Sequence, residues 1–150
     1  AFHDIGKMGI DEKILNKSGQ LTEEEYIVMK SHTLIGASML ARLDHYREEE
    51  LARTAYQICR WHHERYDGGG YPDGLKGEEI PIAAQVVSIA DAYDALISPR
   101  VYKEGFSHEQ AMQMIRNDEC GAFNPLLIEC LEDSQSRIRY LASMTAERFS

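Results

Sequence analysis

Several features that would narrow the function of this 150-residue sequence are scarce or missing. There are three cysteines, Cys59, Cys120 and Cys130, an odd number without a C-x-x-C spacing. Neither a disulfide framework nor a zinc knuckle is indicated. Cys59 and Cys130 fall among apolar helical positions and are expected to be buried thiols in a reducing cytoplasm. No apolar run approaches the ~20 residues that cross a bilayer, so no membrane contact is expected from this segment. Positive charge is in deficit: 16 Lys and Arg face 25 Asp and Glu, for a net charge of −9. A surface for a nucleic-acid polymer needs clustered Lys and Arg and is not expected. A small anionic substrate stays open if positive charge is concentrated locally, and metal ions are one way to do that. The chain lacks an initiator Met and a signal-like leader, and Ala1-Phe2-His3-Asp4 reads as the inside of an element. A piece of a longer protein, truncated at its N-terminus, is expected.

What is present reads as one compact domain of helices over residues 1–142, followed by a frayed tail, 143–150. Apolar residues make up 43% and charged residues 27%, enough to fold as a globule. Thr22-Glu23-Glu24-Glu25 forms a capping box that opens a helix to about Leu43, unbroken or broken near Ser31-His32-Thr33. A second helix covers about Glu48 to His63, its apolar stripe being Leu51, Ala55, Ile58 and Cys59. His62 continues that stripe, so this helix points a histidine inward at its C-terminal end. Glu48-Glu49-Glu50 suits the helix N-terminus. Residues 64–81 hold five glycines and two of the four prolines and cannot be helical. Loops of that length are usually functional or disordered. Ile82 to Leu96 is apolar on nearly every side and reads as a central buried helix. Ser107 to Gln110 is a second capping box. Asn124-Pro125 supplies an N-cap and a proline at the first helical position of a last amphipathic helix. No alternating strand pattern occurs, so the fold class is all-α.

Four of the six histidines stand beside carboxylates or each other. His3 and Asp4 are adjacent. On a helix such neighbours point about 100° apart, so they can grip one metal only near a helix end, which Gly6 would supply. In isolation such a pair is more often a surface turn. His62-His63 lies just before the glycine loop. Asp91 sits within Val86-Val87-Ser88-Ile89-Ala90-Asp91-Ala92-Tyr93, where a bare buried carboxylate would cost several kcal/mol. It needs a salt bridge, a proton or a metal. Imidazole and carboxylate suit borderline divalent metals. His3, Asp4, His32, His62, His63 and Asp91 could supply six ligands from four segments, as helical bundles build such centres. His45 and His108 read as solvated, His108 in the first turn of its helix.

His3-Asp4-Ile5-Gly6-Lys7 resembles the HD signature of the HD-domain phosphohydrolases. His62-His63-Glu64-Arg65-Tyr66-Asp67-Gly68-Gly69-Gly70-Tyr71-Pro72 resembles the signature of their HD-GYP subgroup. Ile80-Pro81, Ala90 to Leu96 and Arg100-Val101-Tyr102-Lys103 follow in the same order, so the resemblance covers about residues 1–131. It implies an HD-domain-like helical bundle with a long Gly/Pro-rich GYP loop. It further implies a bacterial, cytoplasmic phosphodiesterase that hydrolyses cyclic di-GMP to pGpG, with GMP from a second cut. Two divalent metal ions, iron or manganese, are implied as cofactors. By the same resemblance His3, Asp4 and Asp91 hold the first, and Asp4 bridges to a second held by His32, His62 and His63. Lys7 touches the scissile phosphate, so Asp4 and Lys7 are the catalytic candidates. Arg100 and Lys103 clamp phosphate or guanine, and Tyr71 shapes the pocket. An N-terminal sensor or receiver domain is the implied partner in the full-length chain, and a homodimer stays open.

Three departures qualify these expectations. A first-site histidine, which the family takes from a preceding helix, lies outside the sequence, so the fragment alone is expected to be weakly active or inactive. Pro99-Arg100-Val101-Tyr102 keeps the arginine of the usual Asp-Arg-Pro-Tyr and changes its neighbours. Asn124 replaces the usual Asp. Two alternatives remain: an HD phosphohydrolase acting on another nucleotide, cyclic GMP-AMP included, and a degenerate domain that binds a cyclic dinucleotide or a protein partner.

Overall fold

A computed structural model describes residues 2–43, 46, 48–99 and 105–148. Among these residues there are eight α-helices and no strand, which is the expected all-α class. A 3-10 helix, Phe2–Gly9, comes first, followed by α1 (Glu12–Leu15), α2 (Glu23–Lys30), α3 (His32–Ala41) and α4 (Glu50–Trp61). After a long loop come α5 (Ile82–Ile97), α6 (His108–Arg116), α7 (Pro125–Asp133) and α8 (Gln135–Arg148). Two compact units, residues 1–88 and 89–150, divide the chain within α5.

Local chemistry sets the helix ends. The Thr22 hydroxyl accepts from Glu25 N–H at 3.2 Å, and the Glu25 carboxylate accepts from Thr22 N–H at 2.7 Å. Together they satisfy two amides that the helix leaves unpaired. The helical run breaks at Ser31, whose hydroxyl donates back to Val28 O at 2.6 Å. Such local bonding competes with the helix ladder. The break makes His32 the first residue of α3.

In the first unit the 3-10 helix packs against α3 and α4. Gly6 makes this approach possible. It does not end the helix, as expected from sequence, but lies inside it and is buried. A Cβ there would stand 1.9 Å from His32 O and 2.5 Å from Gly36 N. Gly6→Ala is therefore expected to force the 3-10 helix off α3, at about 1–3 kcal/mol, the usual range for overpacking. Urea unfolding checks this against Gly19→Ala, where a Cβ meets nothing within 4 Å and a shift within about 0.5 kcal/mol is expected.

The first unit is unusual in what it buries. His32, Thr33, Cys59 and His62 are each at most 1% exposed, and Glu64 is 2% exposed. Cys59 donates its thiol to Phe2 O at 3.1 Å. Burial, then the charge of Asp4, pushes that thiol up to about 11, so it is inert at neutral pH.

The second unit has an ordinary apolar core of Ile89, Ala92, Tyr93, Ala111, Met112, Ile115 and Phe123. The Ser107–Gln110 capping box and the Asn124 cap with Pro125 form as expected. Other expectations need correction. α8 continues to Arg148, through the residues read as a tail after 142; no Gly or Pro stands there to stop it. Cys130 is exposed, unlike Cys59. Leu127, Ile128 and Leu131 take the core-facing stripe of α7, and Cys130 lies about 100° round the helix from its centre. His108 is half-buried rather than solvated, because Tyr93 reaches it with an Oη–Nδ1 distance of 2.8 Å. α5 is not buried on all sides: Ile82 and Val86 are exposed.

Candidate metal centre

Three segments of the first unit bring five of the sequence-selected ligands together. His3 and Asp4 come from the 3-10 helix, His32 from the start of α3, and His62 and His63 from the end of α4. Donor atoms of His32, His62 and His63 lie within 4.8 Å of one another, as do those of His3, Asp4 and His62. Asp4 faces both groups. Its Oδ2 is 3.3 Å from His3 Nε2 and its Oδ1 is 3.4 Å from His32 Nε2.

The hydrogen bonds reveal what the cluster requires. His32 Nδ1 is 2.7 Å from Met29 O, and His62 Nδ1 is 2.9 Å from Ile58 O. A carbonyl can only accept, so both Nδ1 atoms carry the proton. Burial lowers the basicity of both rings, that of His62 down to about 4. Each neutral ring therefore presents an unprotonated Nε2, and the two Nε2 atoms face each other at 3.4 Å. Asp4 Oδ1, buried and without a hydrogen-bond donor, also faces His32 Nε2. Three lone-pair donors converge with no proton between them, a set that a cation satisfies. The backbone carbonyls bonded to the Nδ1 atoms fix tautomer and orientation, the usual support of metal-ligating histidines. The residues present thus fit a divalent metal centre.

Burial opposes ionisation of Asp4, but the hydrogen bonds from His3 and Lys7 and the Lys7 charge outweigh it. They hold the carboxyl well below the usual range, so it stays ionised. Lys7 Nζ donates to Asp4 Oδ2 at 2.7 Å and is 40% exposed, at the mouth of the cluster.

The glycine-rich loop is tied to the cluster by a residue that received no role from sequence. Glu64, directly after His62-His63, accepts from the amides of Asp73 (2.8 Å), Gly74 (3.1 Å) and Leu75 (3.0 Å). Asp73 in turn accepts from Arg60 Nε at 2.8 Å and Trp61 Nε1 at 2.7 Å. Gly70 lies so close that a Cβ would stand 2.4 Å from Glu64 Cα. Folded back in this way, the loop stacks Tyr71 on His63, with centroids 4.8 Å apart and planes 23° apart. A loop rich in glycine leaves many amides to satisfy, and an acidic residue just before it was the available signal.

Asp91 lies on α5 in the second unit and is half-buried, not fully buried as its apolar surroundings suggested. Arg100, Lys103 and His45 lie outside the described residues.

Known proteins resemble this chain over most of its length. The HD domain model matches residues 1–124. A cyclic di-GMP phosphodiesterase of Vibrio cholerae serotype O1 is 45% identical over 129 residues, 85% of this chain and 26% of that protein. The cyclic di-GMP phosphodiesterase response regulator RpfG of Xanthomonas campestris is 38% identical over 140 residues, 93% of this chain and 36% of that protein. A 3'3'-cGAMP-specific phosphodiesterase of Vibrio cholerae is 37% identical over 130 residues, 87% of this chain and 24% of that protein. The chain thus spans about a quarter to a third of these relatives' length. The HD signature His3-Asp4, the cluster it joins and the match over most of the sequence lead to one conclusion: this chain belongs to the HD domain family.

Proposed function

We propose that this chain is the catalytic part of a metal-dependent phosphodiesterase that opens cyclic di-GMP to pGpG and cuts pGpG further to GMP. The observation that carries the reading is the convergence of the Nε2 lone pairs of His32 and His62 with the donorless Asp4 Oδ1. His3 and Asp4 on one side, and His32, His62 and His63 on the other, would hold two divalent ions. Iron and manganese suit this imidazole–carboxylate set. Asp4, with one oxygen toward each group, would be the ligand they share. The ligand role of Asp91, and the substrate roles of Arg100 and Lys103, rest on their motifs.

Bound metal would supply a nucleophile from water and stabilise charge on the phosphodiester oxygens. The protein's own residues do the rest. Lys7 balances the Asp4 charge and extends a cation toward an incoming phosphate, where negative charge grows during hydrolysis. Tyr71, stacked on His63, closes one side of the pocket and screens that ligand from water. In a chain of net charge −9, this centre would be the local attraction for an anionic substrate.

The names of the relatives support a cyclic dinucleotide as substrate, and the length they have beyond this match supports a sensor or receiver domain in the full chain. We place the protein in the cytoplasm, where that messenger is made. Cyclic GMP-AMP is the second reading, favoured by the 37% identical relative named for it. Elemental analysis and product chromatography on the full-length protein test both. About two metals per chain and turnover of cyclic di-GMP in preference to cyclic GMP-AMP are expected. Reversed preference selects the second reading. A protein that neither holds nor responds to Fe(II) or Mn(II), and cuts neither nucleotide, overturns both.

A further inference from the structure

A cyclic dinucleotide carries two phosphodiesters, and only one can be cut at a time. The other keeps its negative charge; Arg100 and Lys103, given substrate roles by their motif, lie outside the described residues. The described cations of the first unit near the cluster are largely committed. Lys7 is paired with Asp4, and Arg60 with Asp73. Arg65 donates to Ser88 Oγ at 2.6 Å and to Glu64 O at 3.3 Å.

Lys30 differs. It lies in the last turn of α2, two residues before His32, and is half-buried. Its Nζ stands 5.1 Å from the Tyr26 ring centroid and 5.8 Å from that of Tyr71. Tyr71 is the ring stacked on His63, so Lys30 is one aromatic ring away from the metal cluster. An ammonium held by aromatic faces is fixed in position with its charge intact, whereas a carboxylate partner would neutralise it. Tyr26 is 49% exposed, so the pair lies on the rim and is open to a ligand. Lysine serves phosphate as a point charge and tolerates varied approach.

We propose that Lys30 receives the phosphodiester that is not being cut, and that Tyr26 is the positioning residue that holds its ammonium there. This rests on the cyclic-dinucleotide reading above.

The test uses the full-length, metal-loaded protein and its Lys30→Met, Lys30→Arg and Tyr26→Ala variants. For each, KM and kcat for cyclic di-GMP, the Kd of its non-hydrolysable bis-phosphorothioate analogue by calorimetry, and metal content are measured. Lys30→Met is expected to raise KM and Kd about tenfold, as loss of a charge-assisted bond does, with kcat and metal content retained. Lys30→Arg should restore most of the affinity, and Tyr26→Ala should weaken binding by a smaller factor. Unchanged KM and Kd in Lys30→Met would overturn the proposal. So would loss of metal, or a fall in kcat alone, either of which makes the role structural or chemical. If the unmutated protein cleaves bis(p-nitrophenyl) phosphate but neither binds nor cuts cyclic di-GMP, the substrate reading itself fails and this proposal falls with it. That failure is visible before any variant is made.

Discussion

Replacing His62 by alanine should empty the metal centre and abolish turnover. His62 is the one residue common to both groups of converging donors, and it is fully buried. Its removal takes away a lone pair that stands within reach of both groups. The loss should exceed the ~10–100-fold that residues merely supporting a metal site cost. Metal content should fall with activity, and added Fe(II) or Mn(II) should not restore it. Alanine at a buried position also leaves a cavity, so the helical content and melting temperature of the variant need to be measured alongside. His63→Ala provides the companion case. His63 is half-buried and belongs to only one group, so a folded protein with partial metal loss is expected. Turnover by His62→Ala at the unmutated rate would refute the assignment of the site.

The second large effect is expected at Glu64. Alanine there leaves the amides of Asp73, Gly74 and Leu75 without their acceptor. Unsatisfied buried donors cost about 1–3 kcal/mol each, and some rehydration of an opened loop is available. A total of about 2–4 kcal/mol follows by that measure, read as a drop in the urea midpoint. Glu64→Gln keeps one carbonyl oxygen for the Asp73 and Gly74 amides and loses the Leu75 bond, so about 1–2 kcal/mol is expected. Hydrogen exchange at residues 73–75 should speed up in the same order. Turnover should fall too, since the released loop no longer holds Tyr71 against His63. If exchange at those three amides were unchanged in Glu64→Ala, the loop would be held by something else.

These two residues mark what the sequence made legible. His62 was found because two imidazoles stood side by side at the inward end of an amphipathic helix. That is local information. His32 is 30 residues away and carries no local signal of its own, so it entered the ligand set only as one imidazole among the others. The tertiary reason, a 3-10 helix drawn against α3 through Gly6, is invisible in spacing. Helix starts were legible for the same local reason. Thr22, Ser107 and Asn124 each cap within three residues. Burial was harder to read. Cys59 and Cys130 look alike in sequence, yet one is sealed against Phe2 O and the other faces out. The roles of Glu64 and Lys30 were missed because their partners are loop amides and aromatic faces brought in by the fold. Asp91 is half-buried on α5, where its apolar neighbours in sequence suggested full burial.

Anomalous X-ray diffraction at the iron and manganese edges, from crystals of the full-length protein, bears most directly on the account. Scattering peaks bonded to His32 Nε2 and His62 Nε2, with Asp4 shared between two ions, are the result the account predicts. Density without an anomalous peak at that position after loading with either metal, the imidazoles instead hydrogen-bonded to one another or to water, would contradict it.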